Sequence, residues 1–239
     1  MYQLFFTPEW FNGFDLVFEA IILIIALLIA AYSWKAYKFS QENKFAYFSL
    51  AFVTVALSFM FKIFTYGVLY FSPVREVTAT VLKPLTGSGL QFADLFYRSA
   101  FFAQMFLMLV ALLLIFFVAQ KSRDRLTKLY EVSQMALFVY LIFLISFIAN
   151  FKYVVFYLTG TVILGLIVVQ YYKNYLNANK NKNTFNVMLG FLFILIGNIF
   201  FVFVYLYNQL YVFGELFMLV GFLILLRTYR KIKRRSNHE

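Results

Sequence analysis

The sequence predicts an all-α polytopic membrane protein of seven transmembrane helices, with the N-terminus outside and the C-terminus inside. Three observations carry this. Of the 239 residues, 64% are hydrophobic and only 13% are charged, where soluble domains run at about half and about a quarter. The apolar residues come in runs of about 20, the length that crosses roughly 30 Å of hydrocarbon. The Lys and Arg residues gather in the gaps between runs, and every second gap is rich in them. So apolar a composition excludes a soluble enzyme, a disordered chain and a nucleic-acid module.

The seven runs cover about 14–34, 45–71, 95–119, 132–150, 152–173, 184–206 and 210–228 of a single domain, 1–239. The first follows MYQLFFTPEW, which has no basic residue. Its apolar stretch is too long for a signal-peptide core, so it reads as a span. Only Asn150-Phe151-Lys152 separates the fourth run from the fifth. One continuous helix there would overshoot the bilayer. The one long loop, 72–94, alternates over Val77–Leu82 and then turns at Lys83-Pro84, Gly87 and Gly89. That pattern fits a short strand or hairpin over the outer face, with an irregular loop as the alternative.

Charge sets the orientation. Lys35, Lys38 and Lys44 follow the first run; Lys121, Arg123, Arg125 and Lys128 follow the third. Lys173, Lys180 and Lys182 follow the fifth, and six more basic residues begin at Arg227. Together these are sixteen of the 21 Lys and Arg residues. The opposite side holds Arg75, Lys83, Arg98 and Lys152, while Lys62 lies within a run. Basic flanks are retained in the cytoplasm. The expected location is therefore the plasma (cytoplasmic) membrane, and an odd number of spans is required.

The tail, 229–239, carries the membrane-surface candidates Arg230, Lys231, Lys233, Arg234 and Arg235. The plain reading is an anchor on anionic lipid. The sharper one is a docking site for a cytoplasmic protein. No nucleic-acid partner is expected, and oligomerisation is left open.

Charged groups inside a bilayer cost about 2.5–3.5 kcal/mol each on insertion scales, so each needs a reason. Five polar residues on five runs lie 16 to 18 positions from the nearest inner lysine: Glu19, Lys62, Gln104, Asn198 and Glu215. At 1.5 Å per residue this is a layer about 24–27 Å above the inner charge ring. With Tyr66, and with Tyr97 and Tyr205 at the mouth, these residues form a candidate ligand pocket open to the outside. Snorkelling of polar tips to interfacial water is the alternative.

Catalytic and metal chemistry find no material. There is no cysteine, the single histidine is His238 in the tail, and no phosphate loop, HExxH or GxSxG occurs. The expectation is therefore a non-enzymatic protein with no cofactor and no metal.

An internal repeat gives the runs an order. FAQMFLMLVALLLI (102–115) aligns without a gap with FGELFMLVGFLILL (213–226). LAFVTVALS from Leu50 aligns with LGFLFILIG from Leu189, and WKAYK from Trp34 with YKNYL from Tyr172. Helices 1–3 and 5–7 then form a parallel pseudo-repeat with helix 4 between them. A chance likeness of Phe- and Leu-rich helices is the alternative.

This 3+1+3 plan resembles, in architecture and over nearly the whole chain, the seven-helix superfamily of opsins, G-protein-coupled receptors and SWEET or PQ-loop carriers. It is also similar to small archaeal seven-helix proteins. It departs from them in specific ways. The last run has no retinal-type lysine, SRDR at 122–125 replaces an acid-Arg-Tyr run, and no Pro-Gln pair exists. Pro8, Pro73 and Pro84 all lie outside the runs. The resemblance implies a sensor- or receptor-like bundle, with a small-solute or ion carrier, or a structural or assembly protein, as alternatives.

Overall fold

A computed structural model of the chain describes residues 7–71, 76–77, 89–120, 138, 141–142 and 153–236, without the side chains of 9, 69–70, 89–98 and 232–236. The described residues form a short 3-10 turn, Glu9–Phe11, and six long helices. These are α1 (Phe14–Ser40), α2 (Asn43–Tyr70), α3 (Gly89–Gln120), α4 (Tyr153–Asn177), α5 (Lys182–Val202) and α6 (Gln209–Ser236). All six are long and apolar enough to cross a membrane. The chain is thus an all-α integral membrane bundle.

The described helices number six where the sequence led us to expect seven spans. The missing run, 132–150, lies outside the described residues apart from 138, 141 and 142, which are helical. Phe138 sets its ring 5.9 Å from that of Phe117 on α3, and Ile142 is buried. Within the expected loop 72–94, Glu76 and Val77 are helical and α3 begins at Gly89; the other residues there are not described. The sixth run ends early, at Val202 rather than 206. Residues 203–206 are turns with Phe203, Tyr205 and Leu206 exposed. Hydropathy cannot separate the end of an apolar helix from an apolar turn at the interface.

Local chemistry explains several boundaries. Gly13 turns into α1 at φ +94°, where a Cβ would be strained, and Asp15 Oδ1 accepts from the backbone N–H of Gly13 and of Leu16. Past Ser40, Gln41 adopts the left-handed conformation and its N–H closes on Tyr37 O at 2.8 Å. Lys44 then pairs with Glu42 at the start of α2. Asn181 caps α5, its side chain accepting from Asn183 N at 2.9 Å.

Neighbours in sequence pack in turn, α1 on α2, α2 on α3, α3 on α4, α4 on α5 and α5 on α6, and α6 packs back on α1. The ring closes. Two of its seams join parallel helices. Phe101, in the first half of α3, and Phe156, near the start of α4, lie 5.6 Å apart by ring centroid, and near the two helices' ends Asn174 Nδ2 donates to Ala119 O at 2.9 Å. Likewise Phe11, just before α1, meets Tyr211 at the start of α6 at 6.4 Å.

The ring buries its few charged side chains within a largely apolar core and is apolar outside, as a protein dissolved in lipid requires. On α1, Glu19, Ile22, Ile25 and Ile29 face inward, while Ile21, Ile24, Leu27 and Leu28 are exposed. The tightest seam is α5–α6. A Cβ on Gly197 would lie 2.7 Å from Gly214 O, and one on Gly221 would lie 2.7 Å from Gly190 O. Only glycine lets the two backbones come so close, and such approach holds helices together where hydrophobicity gives no drive.

Candidate functional site

Three of the five residues predicted to share a level meet. The Lys62 ammonium on α2 lies 2.6 Å from Glu19 Oε1 on α1 and 2.8 Å from Glu215 Oε1 on α6. Both glutamates are fully buried and Lys62 is 4% exposed. A side chain that snorkelled would show its tip to solvent, and here it does not. The depth of each residue follows from helical rise. Their convergence follows from the ring, in which α1 packs on both α2 and α6 and α2 meets α6 through Phe59 and Phe222, 6.0 Å apart by ring centroid.

Aromatic rings complete the surround of the ammonium. Lys62 Nζ lies 5.7 Å from the ring centroid of Tyr66, 5.8 Å from Phe201 and 5.5 Å from Tyr211. These are cation–π distances, where the negative face of each ring attracts a cation. The hydroxyls of Tyr66 and Tyr211 bond to each other at 2.8 Å. Phe11 packs beside Tyr211 and Phe18. Among the described residues the cluster is therefore closed over by these aromatic side chains, where the sequence led us to expect an outward opening. Tyr205 is exposed in a turn and does not join it. Tyr97's side chain lies outside the described residues.

Below Lys62, inside the ring, is a cavity of about 60 Å³. Its polar end is formed by Lys62, Ser58, Gln104, Tyr157 and Asn198. It continues along α2 to Phe52, about 15 Å of helix at 1.5 Å per residue, between the methionines Met105, Met108 and Met218. Methionine is the side chain best able to adapt such a wall. Gln104 lines this cavity but does not touch the triad's ion pairs; its backbone carbonyl accepts from Ser58 Oγ at 2.7 Å. Asn198 turns away to α4, where its Nδ2 donates to Tyr157 O at 2.6 Å and Thr161 Oγ1 at 2.8 Å.

Several acceptors in this region lack a donor. Among the described residues, Glu19 Oε2, Glu215 Oε2 and Gln104 Oε1 are buried with no hydrogen-bond partner. Buried acceptors are nearly always satisfied, and each exception calls for an explanation. With both carboxylates ionised, the two acids outnumber the one ammonium. The arrangement is electrostatically and chemically complementary to a further donor of positive charge.

The tail candidates lie at the far end of the bundle. Arg230 and Lys231 are exposed there, while the side chains of Lys233, Arg234 and Arg235 are outside the described residues. The sequence reading missed Tyr157, Phe201 and Tyr211. A signal did exist for one of them: Tyr211 and Glu215 are four residues apart, as are Lys62 and Tyr66, so each pair shares a helix face.

No family profile, curated protein or solved structure matches the chain.

Proposed function

We propose that this protein is a non-enzymatic, sensor- or receptor-like seven-helix membrane protein that binds a small cationic ligand beside the Glu19–Lys62–Glu215 cluster. The observation that carries the reading is the cage itself: two buried carboxylates and three rings around one ammonium, of which Lys62 and Phe201 also line the cavity. With both carboxylates ionised, the leftover negative charge and the unpartnered acceptors favour a ligand that brings N–H donors and one positive charge. The small cavity favours a small one, on the scale of ammonium or methylammonium, since about 60 Å³ takes only a few water-sized groups. A ligand there would compete with Lys62 for its carboxylates, and Lys62 links α2 to both α1 and α6. That gives binding a route to a change in helix packing.

Seven spans with the N-terminus outside are supported by the parallel packing of α3 on α4. The chain leaves α3 at one end of the bundle and enters α4 at the other, which favours an odd number of spans. The sixteen basic residues on one side favour a cytoplasmic C-terminus in the plasma membrane.

A second reading, a carrier of the same small cation, is favoured by pseudo-symmetry. Extending the three sequence alignments pairs Glu19 with Tyr157, Lys62 with Phe201 and Gln104 with Glu215. Where Glu19 and Lys62 form an ion pair, the equivalent Tyr157 and Phe201 bring their rings to 5.0 Å. The parallel seams α1–α6 and α4–α3 are likewise equivalent under the same pairing. Carriers bind their solutes between such repeats.

One pair of experiments tests both readings. Purified protein is titrated with methylammonium chloride against sodium chloride at constant ionic strength, and its thermal stability is followed. A saturable rise in wild type, absent in Glu19→Gln/Glu215→Gln, is expected. No rise overturns the ligand assignment. Uptake of labelled methylammonium into proteoliposomes, above that of empty vesicles, would replace the sensor with the carrier.

A further inference from the structure

The opposite end of the bundle carries a second built feature. Where α5 begins and α6 leaves the membrane, the two helices flank a groove of about 790 Å³. From α5 it is lined by Lys182, Asn186 and Leu189, and from α6 by Ile224, Arg227, Thr228, Arg230 and Lys231. The spacing on α5 is i, i+4, i+7, and four of the α6 residues stand at i, i+3, i+4, i+7. Each set is therefore one stripe of its helix, and the two stripes face each other across the groove.

The lining is graded along the helix axes. Leu189 and Ile224 lie deepest toward the membrane centre. Asn186, Arg227 and Thr228 come next, and Lys182, Arg230 and Lys231 form the outermost level. Four cations converge with no carboxylate in the lining. Glu19 and Glu215 pair with Lys62, and Glu42 with Lys44, not with these four. The positive end of the α5 dipole points into the same region. Like charges gathered together repel, and an anion beside them relieves that repulsion.

We propose that this groove binds the phosphate of an anionic phospholipid, with an acyl chain lying along Leu189 and Ile224. The shared chemistry is a phosphate ester. The apolar depth of the groove favours the lipid over a soluble ester, and the groove's level, where the apolar part of α6 gives way to its basic end, is where lipid phosphates lie. Basic pockets between helices on the cytoplasmic side are suited to anionic headgroups in just this way. The site is distinct from the buried cluster and does not depend on what binds there. It also differs from a diffuse attraction of the basic tail, because it requires Lys182 from another helix.

The test is retention of lipid by the intact protein. Wild type is reconstituted with a phosphatidylcholine–phosphatidylglycerol mixture, stripped with detergent and weighed by native mass spectrometry. Retention of one phosphatidylglycerol in preference to phosphatidylcholine is expected. Lys182→Gln/Arg227→Gln should weaken it about thirtyfold, given the typical contribution of each basic residue near a surface. Arg234→Gln/Arg235→Gln should leave it within about twofold. Thermal unfolding of both variants confirms that they fold; if the groove variant does not, Arg227→Gln alone is measured, with about a fivefold loss expected. Equal retention of the two lipids overturns the proposal. So does an equal loss in the tail variant, which would assign the effect to diffuse charge. Displacement of the lipid by millimolar glycerol 3-phosphate would make the site one for soluble phosphate esters and overturn its assignment to lipid.

Discussion

Lys62 and Glu215 stand 153 residues apart in the chain and 2.8 Å apart in space. Because Lys62 also holds Glu19, one ammonium joins the first helix, the second and the last. This contact ties α6 to α2 inside the ring, and its energetics are asymmetric. A buried ion pair adds little compared with well-packed apolar side chains, yet removing one partner is expensive because the other is left charged in hydrocarbon.

Lys62→Met should therefore be the most damaging single change in the cluster. It strands two carboxylates and should cost about 3–5 kcal/mol. Glu19→Gln/Lys62→Met/Glu215→Gln should recover most of that loss. Thermal unfolding in one fixed detergent measures both. If Lys62→Met unfolds with wild type, the ion pairs do not hold the ring.

Glu215→Gln and Glu215→Leu separate hydrogen bonding from charge. The amide still accepts from Lys62, which keeps Glu19 as its counter-ion, so the Gln variant should lose about 1–2 kcal/mol. Leucine offers no acceptor and should lose more. The same thermal assay ranks them, and an equal loss would show that Lys62 does not need Glu215.

Close backbone approach at α5–α6 predicts a position-specific effect of one methyl group. A Cβ on Gly221 would lie 2.6 Å from Ile194 Cγ1 and 2.7 Å from Gly190 O, whereas nothing lies within 4 Å of one on Gly165. Gly221→Ala should destabilise by about 1–3 kcal/mol, the usual cost of overpacking. Gly165→Ala should be neutral or stabilising, since alanine is the better helix former. Matching melting curves for the two variants would contradict the tight seam.

The parallel seam between α3 and α4 predicts a labelling pattern. Single cysteines can be placed at Ser88, Ser122 and Asn179, because the chain has no cysteine of its own. An impermeant maleimide on sealed vesicles should reach Ser122→Cys and Asn179→Cys from the same side, and Ser88→Cys from the other. Opposite-side labelling at 122 and 179 would rule out a crossing by 121–152.

Asn198 ties α5 to α4 through Tyr157 O and Thr161 Oγ1. Such bonds between helices are worth about 0.6–2 kcal/mol in membranes. Asn198→Leu should cost that much in the thermal assay and, because Asn198 also lines the polar end of the cavity, weaken the response to methylammonium. An unchanged response would take Asn198 out of the ligand site.

Counting residues along a helix measures height, and height was legible. Glu19, Lys62 and Glu215 were placed at one level because rise per residue is constant, whatever the helices pack against. Azimuth was not legible. Gln104 and Asn198 share the level and line the cavity, yet neither joins the ion pairs and Asn198 bonds to α4, since facing depends on the helix arrangement and not on depth. The aromatic walls were hidden for a different reason. With 34 Phe and 18 Tyr in the chain, no single ring stands out, and Tyr211 acquires meaning only when Tyr66 is 2.8 Å away. The end of α5 was misplaced because exposed apolar turns and buried apolar helices have the same composition.

The position of Lys62 also bears on how the chain is made. Helices emerge from the ribosome in order, so α1 and α2 enter the bilayer as a hairpin long before α6 exists. Glu19 is already beside Lys62 in that hairpin, and the two enter as a neutral couple at far less cost than a lone charge. Glu215 arrives with the final helix and finds its cation already waiting. The early acid makes insertion feasible and the late one locks the finished ring, so two glutamates that look equivalent in the folded protein serve successive moments of its synthesis.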